Sequence, residues 1–305
     1  MGKRIVVVGS SNTDMIIKVP HVPAPGETII GGTFSTAAGG KGANQAVAAA
    51  RAGGDVTFVG RVGEDMFGRK AKDGFIKDSI NVDHVLSDKD APSGVALIFV
   101  GEDGENSIAV ASGANANLSP SDVEAASDVI SSADILIMQL ETPLETVQKA
   151  ASIASEKGVK VILNPAPACE LSDDILRRVS ILTPNESEAE LLTGIKVEGE
   201  KGAAAAGDAL MAKGIETVIV TMGARGAFVV TADCKELVGG FSVKAVDATA
   251  AGDVFSGTLA VAMAEGKALK EAVRFASAAG ALSVTKLGAQ PSAPTRKEIE
   301  NFLNS

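Results

Sequence analysis

The sequence predicts an α/β protein in three layers, a mostly parallel central sheet flanked by helices, with a small antiparallel β lid. Three observations carry that prediction. Short apolar runs alternate with helical patterns along most of the chain, and runs apolar on both faces belong in a parallel sheet covered from both sides. Two segments, approximately residues 14–36 and 94–111, alternate instead with a period of two, as half-buried strands do. The 305 residues, 46% hydrophobic and 22% charged, suffice for a single domain over 1–305 with a substantial core.

The elements follow in order. Residues 5–8 form a first buried strand, and an Ala-rich helical stretch at 45–52 leads to a second at 56–59. Further strands are expected at 135–138, 159–163, 181–182, 218–220 and 227–230. Between them, helical spacing marks 120–131, 144–156, 186–192 and 201–213. The chain closes with helices at 252–264, 269–284 and 296–303. The alternating segments are insertions into this series. Met15, Ile17 and Val19 set the period in the first, and Val95, Leu97 and Phe99 face Ile108 and Val110 in the second. Glu102-Asp103-Gly104-Glu105 between those last runs is a hairpin turn signal. Such a sheet would cover a site or meet a partner.

Composition excludes several classes. With Lys+Arg 28 against Asp+Glu 38 and a net charge of −10, nucleic-acid binding, which needs clustered cations, is not expected. No apolar run approaches the roughly 18 residues of a membrane span. Lys3-Arg4 precedes an apolar stretch too short for a signal peptide, so a cytoplasmic protein is expected. The two cysteines, Cys169 and Cys234, form neither a disulfide framework nor a four-cysteine zinc site, and are expected to be buried, inert thiols. The only histidines, His21 and His84, sit in no ligand-spaced cluster. Proton transfer therefore falls to Asp or Glu.

Familiar nucleotide motifs fail. A GxxxxGK(S/T) pattern laid on Gly40-Lys41 finds Ser35 where it needs glycine and Gly42 where it needs a hydroxyl. Gly9-Ser10-Ser11-Asn12 stands where GxGxxG would follow the first strand.

Four clusters remain, each with a plainer reading. Ala38-Gly39-Gly40-Lys41-Gly42-Ala43-Asn44 lets backbone approach a small ligand at a helix start, or is simply a helix entry with Lys41 in solvent. Asp247-Ala248-Thr249-Ala250-Ala251-Gly252-Asp253 opens the next-to-last long helix. Its free N–H groups suit an anion, and the dipole would favour the charged form of Asp253; the plainer reading is an acidic first turn. Asn185-Glu186-Ser187-Glu188 offers an amide and a carboxylate that could order waters around Mg²⁺, or an N-cap with Glu at the third position. Residues 221–226, Thr-Met-Gly-Ala-Arg-Gly, say by themselves only that the chain turns.

In this order and spacing, with Gly9 to Asp14, Pro25-Gly26-Glu27, Gly94 to Ile98, Gly113-Ala114-Asn115, Gln139-Leu140-Glu141 and Gly288 to Ser292, the chain resembles the ribokinase branch of the carbohydrate kinase family end to end. The resemblance implies ATP-dependent phosphorylation of D-ribose at O5, by a homodimer joined through its lids. It places Asn12, Asp14, Gly40, Lys41, Asn44 and Glu141 around the sugar and makes Asp253 the general base. The N–H groups of Ala250, Ala251, Gly252 and Asp253 would form an anion hole. ATP would meet Asn185, Thr221, Gly223, Gly226, Gly252 and Ser277, with Glu188 positioning Mg²⁺ through water. A K⁺ ion would be held by Asp247, Thr249, Ser283, Lys286, Gly288 and Ser292, partly through carbonyls. Many family members have Gly-Ala-Gly-Asp where this chain has Ala250-Ala251-Gly252-Asp253, a change the ribokinase branch tolerates. Two alternatives stay open: a kinase of another sugar, such as 2-deoxyribose or fructose, and a sugar-binding protein on the same fold without turnover.

Overall fold

The computed structural model describes residues 3–103 and 105–305. Strand β1 (Arg4–Val8) leads into β2 (Asn12–Lys18) and β3 (Thr33–Gly39), then helix α1 (Lys41–Arg51), β4 (Asp55–Gly63), α2 (Met66–Lys77) and β5 (Asn81–Asp88). Next come β6 (Gly94–Val100), β7 (Asn106–Ala111), α3 (Pro120–Ala125), α4 (Ser127–Ser131), β8 (Ile135–Met138), α5 (Leu144–Glu156) and β9 (Lys160–Leu163). The chain continues through α6 (Asp173–Leu176), β10 (Ile181–Leu182), α7 (Glu186–Thr193), α8 (Gly199–Met211), β11 (Thr217–Thr221), β12 (Gly226–Val230) and β13 (Lys235–Gly239). Helices α9 (Ala251–Ala264), α10 (Leu269–Ser283) and α11 (Arg296–Leu303) close it.

Nine strands make the central sheet, in the order β13-β12-β11-β10-β9-β8-β1-β4-β5. Neighbours from β11 to β5 are parallel, and β12 and β13 add an antiparallel edge. Alternate residues feed two cores. Ile5, Val7, Ile137 and Ile162 pack with α1, α9 and α10, while Val6, Val8, Leu136 and Met138 pack with α5 and α8 on the other face. The expected three layers are thus present. The reading at 120–131 differs in detail: the helix breaks at Ala126, where φ −97 and ψ 10 leave the helical region. Strands β5 and β13 and helices α2 and α6 were not anticipated; the exposed polar positions in Asn81–Asp88 and Lys235–Gly239 hide both strands from an apolar-run criterion.

The thiols depart from expectation. Cys169 is half-buried and Cys234 is exposed in a turn that donates Thr231 N–H to the Cys234 carbonyl. The reason is position: both lie in connections between elements, not in the apolar faces that bury free cysteines elsewhere.

The lid is a four-stranded sheet, β3-β2-β6-β7, whose outer pairings are antiparallel and whose central β2–β6 pairing is parallel. The β6–β7 hairpin closes with Gly101 N–H donating to the Glu105 carbonyl; Gly104 of its turn lies outside the described residues. Register puts Ile108 opposite Ile98 and Val110 opposite Ala96, on the face shared with Asp14 and away from Leu97 and Phe99. Both lid faces are therefore apolar. Phe34, Leu97, Ile108 and Val110 are all exposed.

One close approach sets the geometry beneath the lid. A Cβ on Gly257 would lie 2.4 Å from the Gln45 carbonyl oxygen and 3.0 Å from the Ala48 Cβ, so glycine there lets α9 lie directly on α1. One turn earlier on α9 is Asp253, which the same contact carries onto Asn44 and Gln45. The order of the sheet reverses at β1, between β8 and β4, and in open α/β sheets ligands bind beyond the carboxyl ends of strands at such a switch.

Candidate active site

The site is built on those carboxyl ends. Beyond β1 the chain runs through Gly9 to Ser11 into Asn12 and Asp14 at the root of β2, and β3 returns to Gly40 and the start of α1. Gly40 holds φ 90, and a Cβ there would lie 2.6 Å from Asn12 N. The first turn of α1 is capped from another strand end: Lys41 N–H donates to Glu141 Oε2 at 3.0 Å, and the Ser10 hydroxyl donates to the same oxygen. Glu141 thus fixes α1 with one oxygen and has the other for a ligand. Asn115 donates from Nδ2 to Asn12 Oδ1 at 2.8 Å, which turns the Asn12 amide N–H groups outward.

Five ionisable side chains converge: Asp14, Lys41, Glu141, Glu188 and Asp253. Asp14 is buried, and burial first, then the charges of Glu141 and Asp253, push its pKa up to about 6. Burial draws the Lys41 ammonium downward, but Asp253, Glu141 and Glu188 outweigh it and hold its pKa above the ordinary lysine value. Asp253 accepts from Asn44 Nδ2 at 2.9 Å on Oδ2 and from Gln45 Nε2 at 3.0 Å on Oδ1. Its pKa is raised: burial outweighs Lys41 and the two amides. This corrects the expectation that the dipole would dominate, since a helix terminus contributes less than the loss of water around a buried charge. A carboxylate with raised affinity for protons is a stronger base than an exposed one. The Asn44 Oδ1 is buried without a partner, an acceptor aimed at the same space.

The nucleotide candidates are brought together too. Asn185, Thr221, Gly223, Gly226, Gly252 and Ser277 line one cavity of about 510 Å³, walled by Phe241, Val243, Phe255 and Val284. Such a size and lining suit a flat heterocycle. The Ser277 hydroxyl is buried there without a partner. Both readings of Asn185 hold: it caps α7 reciprocally with Glu188, each bond 2.8 Å, while its amide nitrogen remains for a ligand. Burial raises the Glu188 pKa.

Helix α9 begins at Ala251, preceded by Ala250 at φ 61 and ψ 12. A non-glycine residue in that left-handed region costs about 1 kcal/mol, strain of a kind found at functional turns. Ala251 N–H turns back to the Ala248 carbonyl at 3.3 Å. Among the described residues Ala250, Gly252 and Asp253 N–H have no such acceptor, so three of the four expected donors are open and only that of Ala251 is engaged.

Of the six residues expected to cluster around a monovalent cation, hydrogen bonds join Asp247, Thr249 and Gly288, and separately Ser283 and Lys286. Asp247 accepts from Thr249 N–H at 2.9 Å and from Gly288 N–H at 2.8 Å. Burial alone would raise its pKa, but these bonds outweigh that and hold it below the ordinary value. Ser283 accepts from Lys286 N–H at 3.0 Å, and the Ser292 hydroxyl donates to the Ala289 carbonyl. The Lys286 ammonium pairs with Glu298, leaving only its carbonyl for a cation. Among the described residues no group of three His, Cys, Asp or Glu is placed to hold a metal.

Sequence reasoning assigned no role to Ser10, Gln45, Asn115, Gln139 or Asn164. The signal was there for Gln139 and Gln45: Gln139 directly follows the apolar run 135–138, and Gln45 opens the Ala-rich stretch of α1.

Comparison with known proteins identifies the family. The pfkB family carbohydrate kinase pattern matches residues 2–296. A ribokinase of Haemophilus influenzae is 48% identical over 99% of both chains, and a deoxyribokinase of Salmonella typhi is 38% identical over 98% of both. The structure of Arabidopsis thaliana ribokinase complexed with ribose and ATP superposes with a TM-score of 0.92 at 34% identity, covering 100% of each chain. Matched along nearly its whole length in sequence and in fold, the chain belongs to the pfkB family of carbohydrate kinases.

Proposed function

We propose that the chain phosphorylates D-ribose at O5 with ATP, giving D-ribose 5-phosphate and ADP. The observation that carries this is Asp253. Its carboxylate lies among Asn44, Lys41 and Asp14 on the sugar side, while the N–H groups of its own helical turn open beside the nucleotide cavity. Asp253 takes the O5 proton as that oxygen bonds to the γ-phosphorus of ATP and the bond to ADP breaks. The N–H groups at the start of α9 receive the charge that develops on the transferring group. Lys41 sits where it offsets the added negative charge. Asn12, Asp14, Gly40, Asn44 and Glu141 hold the sugar; Asn185, Thr221, Gly223, Gly226, Gly252 and Ser277 hold the nucleotide.

Glu188, with one carboxylate oxygen engaged in capping and one clear, fits a role in holding Mg²⁺ through water, as that ion keeps most of its waters. Mg²⁺ bound to the phosphates would supply charge neutralisation. The set of Asp247, Thr249, Ser283, Lys286, Gly288 and Ser292 presents oxygen donors only, several of them carbonyls, the chemistry of a K⁺ site. It flanks the α9 turn without reaching the sugar. K⁺ is therefore expected to raise kcat more than Na⁺ at equal ionic strength; equal rates in K⁺, Na⁺ and a large organic cation would count against this site.

Ile108 and Val110 extend the lid face that carries Asp14, and a second lid seated there would exclude water from the sugar. A cytoplasmic homodimer joined through the lids is the reading this supports. Ile108→Asp is expected to give monomers in sedimentation and a KM for ribose raised about 10-fold or more, as a charge buried in an apolar contact is costly; an unchanged dimer would rule that surface out.

The Salmonella deoxyribokinase relative favours a second reading, 2-deoxyribose as substrate. Measuring ADP release with ribose, 2-deoxyribose, fructose and adenosine separates the two, and no release with any of them would leave a sugar-binding protein without turnover.

A further inference from the structure

Behind Asp253, on the side away from the sugar, three buried polar side chains form with it one chain of hydrogen bonds with a single allowed direction. Asn164 Nδ2 donates to the Thr183 carbonyl at 3.2 Å, so its Oδ1 faces Gln45. Gln45 Nε2 donates to that oxygen at 3.1 Å and to Asp253 Oδ1 at 3.0 Å. Gln45 Oε1 accepts from Gln139 Nε2 at 2.6 Å. A backbone carbonyl can only accept, so it fixes the orientation of Asn164 and through it that of Gln45. Turning the Gln45 amide over would set its oxygen against the Asp253 carboxylate and the Asn164 oxygen. The exposures of Gln45, Gln139 and Asn164 are 0%, 1% and 6%, so no water competes for these bonds. The three partners come from α1, the end of β8 and the end of β9, elements packed in the core.

We infer that Gln45 is a positioning residue for the phosphoryl-transfer reaction: it locks the Asp253 carboxylate through Oδ1 and holds it in the ionised form that accepts a proton. This rests on the reading of Asp253 as base. Asn44, which occupies Oδ2, lies on the sugar side, with its own Oδ1 unpartnered. Gln45 holds the carboxylate from the opposite side, and between them they fix which lone pair faces the attacking hydroxyl. Charge around Asp253 comes from every packed element: Lys41 of α1, Asp14 of β2, Glu141 beyond β8 and Glu188 of α7. Only Lys41 favours the anion. The two amides are the remaining donors that oppose burial, and a hydrogen bond to the charged form lowers its proton affinity.

The test is the pH profile of kcat/KM for ribose in the full chain. Gln45→Met keeps the shape and removes both donors. The acidic limb is expected to move up by about one pH unit, with activity below it reduced about 10-fold and the KM for ribose changed less than about 2-fold. Gln139→Met removes only the brace on Gln45 and is expected to move the limb the same way by less. If Gln45 acts through Asp253, adding Gln45→Met to Asp253→Asn costs nothing further in kcat. A limb that stays put in both single variants while turnover falls at all pH values, or a Gln45→Met loss that persists undiminished beside Asp253→Asn, overturns the inference. Full turnover in Asp253→Asn alone overturns instead the reading of Asp253 as base.

Discussion

Asp253→Asn is expected to lower kcat by about 10²–10⁴, the span of a positioned general base, while leaving the fold and ribose affinity nearly intact. The substitution is isosteric, and burial already disfavours the charge it removes. Asn44 and Gln45 both donate to the carboxylate; an amide can keep one of those bonds through its oxygen but turns its NH₂ against the other donor. The fold should therefore lose little, since removing a buried charge offsets one strained contact. Chemistry loses its proton acceptor outright. Single-turnover kinetics, ribose titration calorimetry and thermal unfolding separate these effects. Near-normal turnover would remove Asp253 from the reaction, and a collapse of ribose binding would assign it to the substrate instead.

Asp14→Asn is expected to act in opposite directions on stability and on substrate choice. With its pKa raised from 3.8 to about 6, the carboxylate is more costly to ionise in the folded chain than in the unfolded one. Its charge therefore destabilises the ligand-free fold above about pH 6. That penalty diminishes as pH falls through 6 and is gone below the unfolded value. The amide variant should be more stable at pH 7.5 by about 1–3 kcal/mol, a gain that fades toward pH 4. The cost falls on ribose affinity. A carboxylate can accept from two neighbouring hydroxyls, and an amide presents only one acceptor. Wild type should prefer ribose to 2-deoxyribose by about 10–100-fold in kcat/KM, because the sugar lacking the 2-hydroxyl leaves a buried oxygen unpaired at about 1–3 kcal/mol. In Asp14→Asn that preference should shrink. Equal use of both sugars by wild type, or a full preference in the variant, would exclude Asp14 as the discriminator.

Much of this architecture is legible in the sequence. Residues 5–8 and 135–138 are apolar on both faces because the sheet is covered on both, and a run of that kind fits few places outside a doubly covered sheet. The glycines around Lys41 and the small residues before Asp253 marked the two helix starts that meet in the site. Strands β5 and β13 escaped because only part of each is buried, so local hydrophobicity carries little of their pairing. The parallel β2–β6 pairing of the lid escaped for another reason: period-two alternation gives a strand its faces but not its neighbour or its direction. The amide chain behind Asp253 was hidden because Gln45, Asn164 and Gln139 are far apart in sequence, and their hydrogen bonds are specified by the contact of α1 with α9 and by adjacent strand ends. Likewise, the first turn of α9 suggested a charge stabilised by a dipole, and only the burial of Asp253 showed which influence is larger.

The lid has a mechanical consequence. Strand β2 begins with Asn12 and Asp14 and runs outward for seven residues, roughly 20 Å at the usual rise of a strand. Strand β3 returns alongside it to Gly39, whose added Cβ would strike the Asp14 carboxylate at 2.4 Å. The side chains proposed to grip the sugar are thus the short arm of a lever whose long arm is the lid itself. Any tilt of the outer sheet rotates those contacts, and any pull on those contacts tilts the sheet. On that proposal, how long a sugar stays and how stiffly the lid stands are coupled, and a change at Lys18, at the distal end of β2, is expected to alter the residence time of ribose.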